Sequence, residues 1–194
     1  MCIRDGCQAF VERVRKVEAP LGRSEFTMAV TRNLFKLMAY KDEYDVARLH
    51  SDKAFHERIA SQFEGDYKLR VHLAPPLLAK KNHKGELIKQ KYGPFMFTAF
   101  GWLAKFKGLR GTALDVFGYS EERRTERALV GEYRTAIEGL LPDLDAGNLS
   151  LALEIARVPD LIKGYGHVKE RNLAAARSRW ADLQARWAAG ASAE

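Results

Sequence analysis

The sequence predicts a mainly α, α+β fold: a helical domain carrying a small antiparallel β-hairpin or sheet element. Three observations predict it. Apolar residues recur at helical spacing through most of the chain. One segment, Tyr67 to Leu73, alternates instead, with Tyr67, Leu69, Val71 and Leu73 apolar and Lys68, Arg70 and His72 polar. Turn residues separate these segments, without an internal repeat or a low-complexity linker. The 194 residues, 46% of them apolar, suffice for one core. The expected organisation is one domain over residues 9–188 and a disordered tail over 189–194.

The elements follow in order. Residues 1–8, opening MCIRDG, read as a truncation scar or a disordered start, which would make the chain a fragment. Ala9 to Glu18 forms a short helix with Phe10, Val11, Val14 and Val17 apolar, broken by Pro20-Leu21-Gly22. Ser24 is the N-cap candidate for a long helix, Thr27 to Leu49, free of Gly and Pro and about six turns long. Its expected core arc holds Met28, Val30, Leu34, Phe35, Leu37, Met38, Tyr44, Val46 and Leu49. Ala54 to Phe63 gives a third helix, closed by Gly65. After the alternating strand, Leu77–Lys81 and Glu86–Tyr92 flank the turn residues Asn82-His83-Lys84-Gly85, so a hairpin is expected. Its exposed side carries Lys80, Lys81, Lys84, Lys89 and Lys91, depending on register.

Pro94 starts a segment whose six large apolar residues, Phe95, Phe97, Phe100, Trp102, Leu103 and Phe106, predict burial on most sides. Lys107 to Tyr119 is a Gly-punctuated loop. Ser120 then caps a helix with Glu121 and Glu122 in its first turn and Leu129, Tyr133, Ile137 and Leu140 on its core side. Asn148 caps an apolar helix ending at Pro159. The last helix runs from His167 to Trp187 on a stripe of Leu173, Ala176, Trp180, Leu183 and Trp187.

Charges inside the core arc are the anomaly. Lys41, Asp42, Asp45 and Arg48 project into it, and desolvating an unpaired charge costs several kcal/mol. Lys41 with Asp45 and Asp45 with Arg48 pair locally, but Asp42 needs a partner from elsewhere. Either this is an ion-pair knot of the fold, or the arc faces another domain or a ligand. Arg110, in Leu109-Arg110-Gly111-Thr112, reaches a phosphate or carboxylate or else bridges two elements of its own fold. His167, Lys169 and Arg171 follow Gly164-Tyr165-Gly166 at a helix start, where backbone N–H groups can hold an anion or simply pack a tight turn.

The same residues limit the chemistry. There is no phosphate loop, GxGxxG, HExxH or GxSxG, and the five histidines fall at no metal-ligand spacing. Cys2 and Cys7 are too few for a zinc or iron–sulfur site by themselves. No nucleophile–base pair supports a complete small enzyme. No apolar run is long enough for a membrane span and no export signal is present, so the expected compartment is the cytoplasm. The net charge of +7 suits an acidic partner. A free-standing basic module for RNA or an acidic protein is the alternative reading, although a basic strand face is ordinarily just solvated.

Four stretches occur together in order: NLFKLMAYKDEYDVARL (Asn33 to Leu49), HLAPPLLA (His72 to Ala79), KGLRGTALDVFGYSEERRTERAL (Lys107 to Leu129) and GYGHVKERN (Gly164 to Asn172). Together they resemble the C-terminal part of the large, fused indolepyruvate ferredoxin oxidoreductases, over about residues 10–188. The resemblance implies a parent enzyme that oxidatively decarboxylates an aryl or branched 2-oxoacid to an acyl-CoA, CO₂ and reduced ferredoxin. It implies thiamine diphosphate with Mg²⁺, [4Fe–4S] clusters and coenzyme A in that parent, which is an oligomer. The GDG…N stretch and the cysteine runs that hold these groups are missing here, so no catalytic residue carries over. The chain alone is expected to bind no cofactor and to be inactive. Its expected partners are the catalytic domains of the same enzyme, met through the Thr27–Leu49 arc and the Gly164–Asn172 turn. Lys89 and Lys91 are expected to help dock ferredoxin or coenzyme A.

Overall fold

The computed structural model describes residues 3–40, 42–73, 88, 90–110, 112–164 and 167–190. The fold is mainly α with one small antiparallel sheet, and the chain divides into two compact units, Met1–Tyr40 with Thr125–Glu194, and Lys41–Arg124.

The first unit is helical. Its helix α1 (Ile3–Glu18) starts ahead of the expected Ala9 and buries Phe10 and Val14, one turn apart. A 3₁₀ turn over Ala19–Leu21 follows, and Gly22 closes it at φ 66°, where only glycine sits without strain. Next, α2 (Glu25–Met38) buries Phe26, Val30, Leu34 and Leu37. In α6 (Glu121–Leu140), Leu129, Tyr133, Ile137 and Leu140 form the buried stripe that the spacing predicts. The shorter α7 (Leu149–Arg157) is buried at Leu151, Ala152, Ile155 and Ala156, and α8 (His167–Ala188) at Ala176, Trp180 and Leu183. All these side chains join in one core, each large one contributing about 1.5–3 kcal/mol on burial. Tyr133 keeps its hydroxyl satisfied there by donating to Ala156 O at 3.0 Å.

Glu18 ties α1 to α2. Its buried carboxylate accepts from Phe26 N and Thr27 N, both at 2.8 Å, and from the Thr27 hydroxyl at 2.6 Å. It therefore caps α2 from outside. Ser24 occupies the expected N-cap position, but its side chain makes no capping bond.

The single helix expected from Thr27 to Leu49 is two helices. Ala39 ends α2, donating to Phe35 O at 2.8 Å, and α3 (Glu43–Ser51) begins anew. Asp42, in extended backbone at φ −89° and ψ 179°, accepts from Asp45 N at 2.9 Å. Aspartate is a poor interior helix residue and a strong N-cap, so the chain restarts here. The expected core arc was also too broad. At about 100° per residue, Met28 and Phe35 lie opposite Phe26, Val30 and Leu37. They are 66% and 72% exposed. In α3, Tyr44 and Ala47 are buried and Leu49 is exposed.

The second unit contains α3, α4 (Lys53–Ala60), β1 (Val71–Leu73), β2 (Gln90–Tyr92), α5 (Phe95–Lys105) and the loop to α6. Helix α4 stops short of the expected Phe63, which is exposed with its ring centroid 5.8 Å from that of Tyr67. Only the end of the alternating segment pairs as a strand. Val71 faces Tyr92, His72 faces Lys91 and Leu73 faces Gln90, antiparallel. The expected turn Asn82–Gly85, with Lys80, Lys81, Lys84 and Lys89, lies outside the described residues. Helix α5 packs against α3, and it differs from expectation: only Phe100 is buried, and Phe95, Trp102 and Phe106 face outward. Aromatic content predicts a need for burial but not whether this chain meets it.

Among the described residues, no helix is long and apolar enough to cross a membrane.

Candidate functional site

The beginning of α3 brings together four of the residues that the sequence singles out: Asp42, Asp45, Arg48 and Arg110. Asp42 is buried, held as N-cap, with both oxygens facing Arg110. Arg110 Nε lies 2.5 Å from Asp42 Oδ2, and its Nη2 donates to Asp42 Oδ1 at 2.7 Å and to Asp45 Oδ2 at 2.6 Å. The planar fork of an arginine suits this pairing; a lysine would offer one point charge. Arg48 Nε closes the set, 3.8 Å from Asp45 Oδ1. Burial pulls the Arg110 guanidinium down, but hydrogen bonds to Asp42 and Asp45 outweigh it and raise its pKa above the ordinary value. Asp42 thus finds the outside partner its burial demands, and Arg110 bridges two elements of its own unit. Lys41 lies outside the described residues.

The same loop engages the next residues of α3. Tyr44 donates to Asp115 Oδ1 at 3.4 Å and meets the Phe117 ring edge-on, centroids 5.4 Å apart. Asp115, also buried, accepts from Gly118 N at 3.0 Å. Arg123 Nε stands 3.6 Å from Glu43 Oε2, an ion pair too long to be a hydrogen bond. Burial raises the Glu43 carboxyl above its usual range despite that neighbour. Sequence reasoning missed Asp115, Glu43 and Arg123. The Asp115–Gly118 spacing is that of a turn with Asp first and Gly fourth, which was a usable signal. Nothing local announces the Glu43–Arg123 pair.

Of the remaining candidates, three lie on α8 in the first unit. His167 heads the helix and is exposed, Lys169 is paired with the buried Glu126, and Arg171 is exposed. Gly164 stands at φ 95°, and a Cβ there would meet Val168 Cγ1 at 2.8 Å, so glycine is required by both backbone and packing. Asn172 Nδ2 donates back to Lys163 O at 2.8 Å. Gly164 and Asn172 thus support the start of α8, and Lys169 ties it to α6. Lys91 is exposed on β2 opposite His72, and Lys89 lies outside the described residues.

Two further features lie outside the α3 cluster. A groove of about 630 Å³ in the first unit is lined by α6 and α8, including Thr135, Leu140, Trp180 and Trp187. Arg177, also lining it, donates to Glu132 at 2.9 Å, and the groove offers no nucleophile beside a base. In the second unit His50 stacks on Phe100, centroids 5.3 Å apart, beside Phe55, and His56 Nε2 donates to His50 O at 2.9 Å. Burial, and secondarily the neighbouring His56, lowers the His50 pKa from its usual 6.5.

Among the described residues no group of three or more His, Cys, Asp or Glu could hold a metal ion. A [4Fe–4S] cluster takes four thiolates, and the chain has two cysteines. Cys7 Sγ lies 3.3 Å from Met38 Sδ. The residues present do not fit such a cluster. Asp42 and Asp45 are paired with Arg110, Glu43 stands beside Arg123, and Asp115 accepts from Tyr44 and Gly118, so these groups hold the start of α3 to the loop before α6.

A sequence profile of a family of unknown function, DUF6537, matches residues 7–182. Neither the curated proteins nor the solved structures contain a match to the chain.

Proposed function

The chain belongs to the DUF6537 family, of unknown function, and from that premise we propose that it is the C-terminal structural and interface domain of a thiamine-diphosphate-dependent, indolepyruvate-type 2-oxoacid:ferredoxin oxidoreductase. The observation that carries this reading is the set of four long blocks occurring in order between Asn33 and Asn172. The geometry supports a structural role for them. Residues from the first and third blocks hold each other through Arg110 with Asp42 and Asp45, and through Tyr44 with Asp115. In the fourth block Gly164 packs closely against Val168, and Asn172 donates to Lys163 O just ahead of it.

In this reading the chemistry belongs to other domains of the parent enzyme, in the cytoplasm. Thiamine diphosphate there supplies the electron sink for decarboxylation. This chain contributes packing and a partner surface. Exposed Lys91 is a candidate for meeting acidic ferredoxin or coenzyme A, together with Lys89.

The test begins at the DNA upstream of the Met1 codon. An open frame continuing into a GDG…N stretch supports the proposal. A closed frame with no such stretch in a neighbouring gene rejects it. The isolated chain, supplied with thiamine diphosphate, coenzyme A, 2-oxoacid and ferredoxin, is expected to show no turnover, and turnover would overturn the assignment.

A further inference from the structure

We propose that the outward stripe of α5 is a protein docking surface for a partner whose apolar patch is rimmed by carboxylates. The stripe is set by helical geometry. At about 100° per residue, Phe95, Ala99, Trp102 and Phe106 fall within a narrow arc, with Thr98 and Lys105 at its edge. Phe95 is 65%, Trp102 61% and Phe106 51% exposed, while Phe100 on the other side is buried. Three large aromatics on one face are more apolar surface than a solvated helix carries without a partner.

The charge around the stripe says what kind of partner. From Gln90 to Arg110 the sequence has no Asp or Glu, while Lys91, Lys105, Lys107 and Arg110 are basic. Arg110 is engaged by Asp42 and Asp45, while Lys105 at the end of α5 and Lys107 in the turn after it are exposed cations. Lys105 Nζ lies 4.9 Å from the Trp102 ring centroid, so positive charge sits on the apolar surface itself. A second copy of the chain would bring the same basic rim and be repelled. An acidic rim is complementary.

The stripe's shape favours a protein over a lipid surface. Ala99, with Thr98 beside it, is small and lies between Phe95 on one side and Trp102 and Phe106 on the other. Such a notch receives a side-chain knob from another helix or loop. Fluid acyl chains gain nothing specific from it.

The identity of the partner rests on the proposed function: there it is another domain of the same oxidoreductase. The docking itself does not rest on it. The test places a photo-crosslinking benzoylphenylalanine at Thr98 of the complete gene product in its source cell, with Ser178 on α8 as the control position. Mass spectrometry then locates the joined segment. The expected result is one protein segment with apolar residues flanked by Asp or Glu, reached from Thr98 and not from Ser178. Trp102→Ser, and separately the pair Lys105→Glu with Lys107→Glu, are expected to lower that crosslink at least tenfold. Ala99→Arg fills the notch while keeping the aromatics and is expected to do the same. Each variant is compared at unchanged helicity by circular dichroism. Crosslinks to a second copy, to lipid, to nothing, or at undiminished yield in the variants overturn the proposal. A partner segment from a polypeptide carrying a thiamine diphosphate motif supports both readings. One of the stated chemistry from an unrelated protein upholds the docking surface and removes the oxidoreductase.

Discussion

At the scale of single residues, Asp42 has two roles that substitution separates: it caps α3 and it anchors Arg110. Asparagine also caps well, so Asp42→Asn keeps the first role and weakens the second, while Asp42→Ala removes both. Urea unfolding is expected to show the alanine variant less stable than the asparagine variant by about 1 kcal/mol. Arg110→Ala leaves the buried Asp42 without its counter-charge. The expected loss is about 2–3 kcal/mol, less than for a fully buried pair because Arg110 is partly solvated. An unchanged urea midpoint for Arg110→Ala would show that the cluster contributes nothing to stability. Here the sequence was half legible. A charge in an apolar context announces that a partner exists, since the cost of leaving it bare is large. Which residue answers depends on how the loop from Lys107 to Ser120 comes back, and that is set by tertiary packing.

At the scale of elements, the ends of helices carry information that periodicity does not. Apolar residues at helical spacing resume at Tyr44 with no Gly or Pro between, so periodicity joins α2 and α3 into one helix; only the cap spacing Asp42–Asp45 marks the restart. The cap of α2 was hidden further, because the carboxylate that serves it comes from the end of α1. Glu18→Gln replaces one accepting oxygen by an amide N–H₂ facing a backbone donor. It is expected to cost about 2 kcal/mol, and hydrogen exchange should report faster opening at Phe26 and Thr27 than in the core of α7. Equal protection in variant and parent would reject this role. The start of α8 has a comparable dependence on Gly164. Gly164→Ala combines an unfavourable backbone angle with a contact against Val168, and a loss of about 1–3 kcal/mol in thermal or urea unfolding is expected.

At the scale of the whole molecule, the fold class was legible because two periods, 3.6 and 2, separate helices from the one alternating segment. The outward aromatics of α5 were not, because composition cannot say which side a chain leaves for others. The second unit holds two groups whose pH dependences oppose each other. The pKa of His50 is lowered, so the folded second unit favours the neutral imidazole. Its contribution is complete above the unfolded value of about 6.5 and is lost as pH falls below it. Glu43 acts in the other sense: with its carboxyl raised above 4.5, ionisation costs stability as pH rises past that value. Comparison with His50→Phe isolates the first effect. The parent is expected to lose stability relative to the variant between about pH 7 and about pH 5, read from urea midpoints. Parallel pH profiles would remove His50 as the cause.

The first unit is built from residues at both ends of the chain, with residues 41–124 inserted between them. During synthesis the apolar faces of α1 and α2 therefore leave the ribosome long before α7 and α8 exist to cover them. The inserted unit can reach its own fold first, since Arg123 emerges well ahead of Trp180. The α1–α2 segment waits for α7 and α8, so it is the one a chaperone should hold, and a pause in translation before Leu149 would prolong that wait.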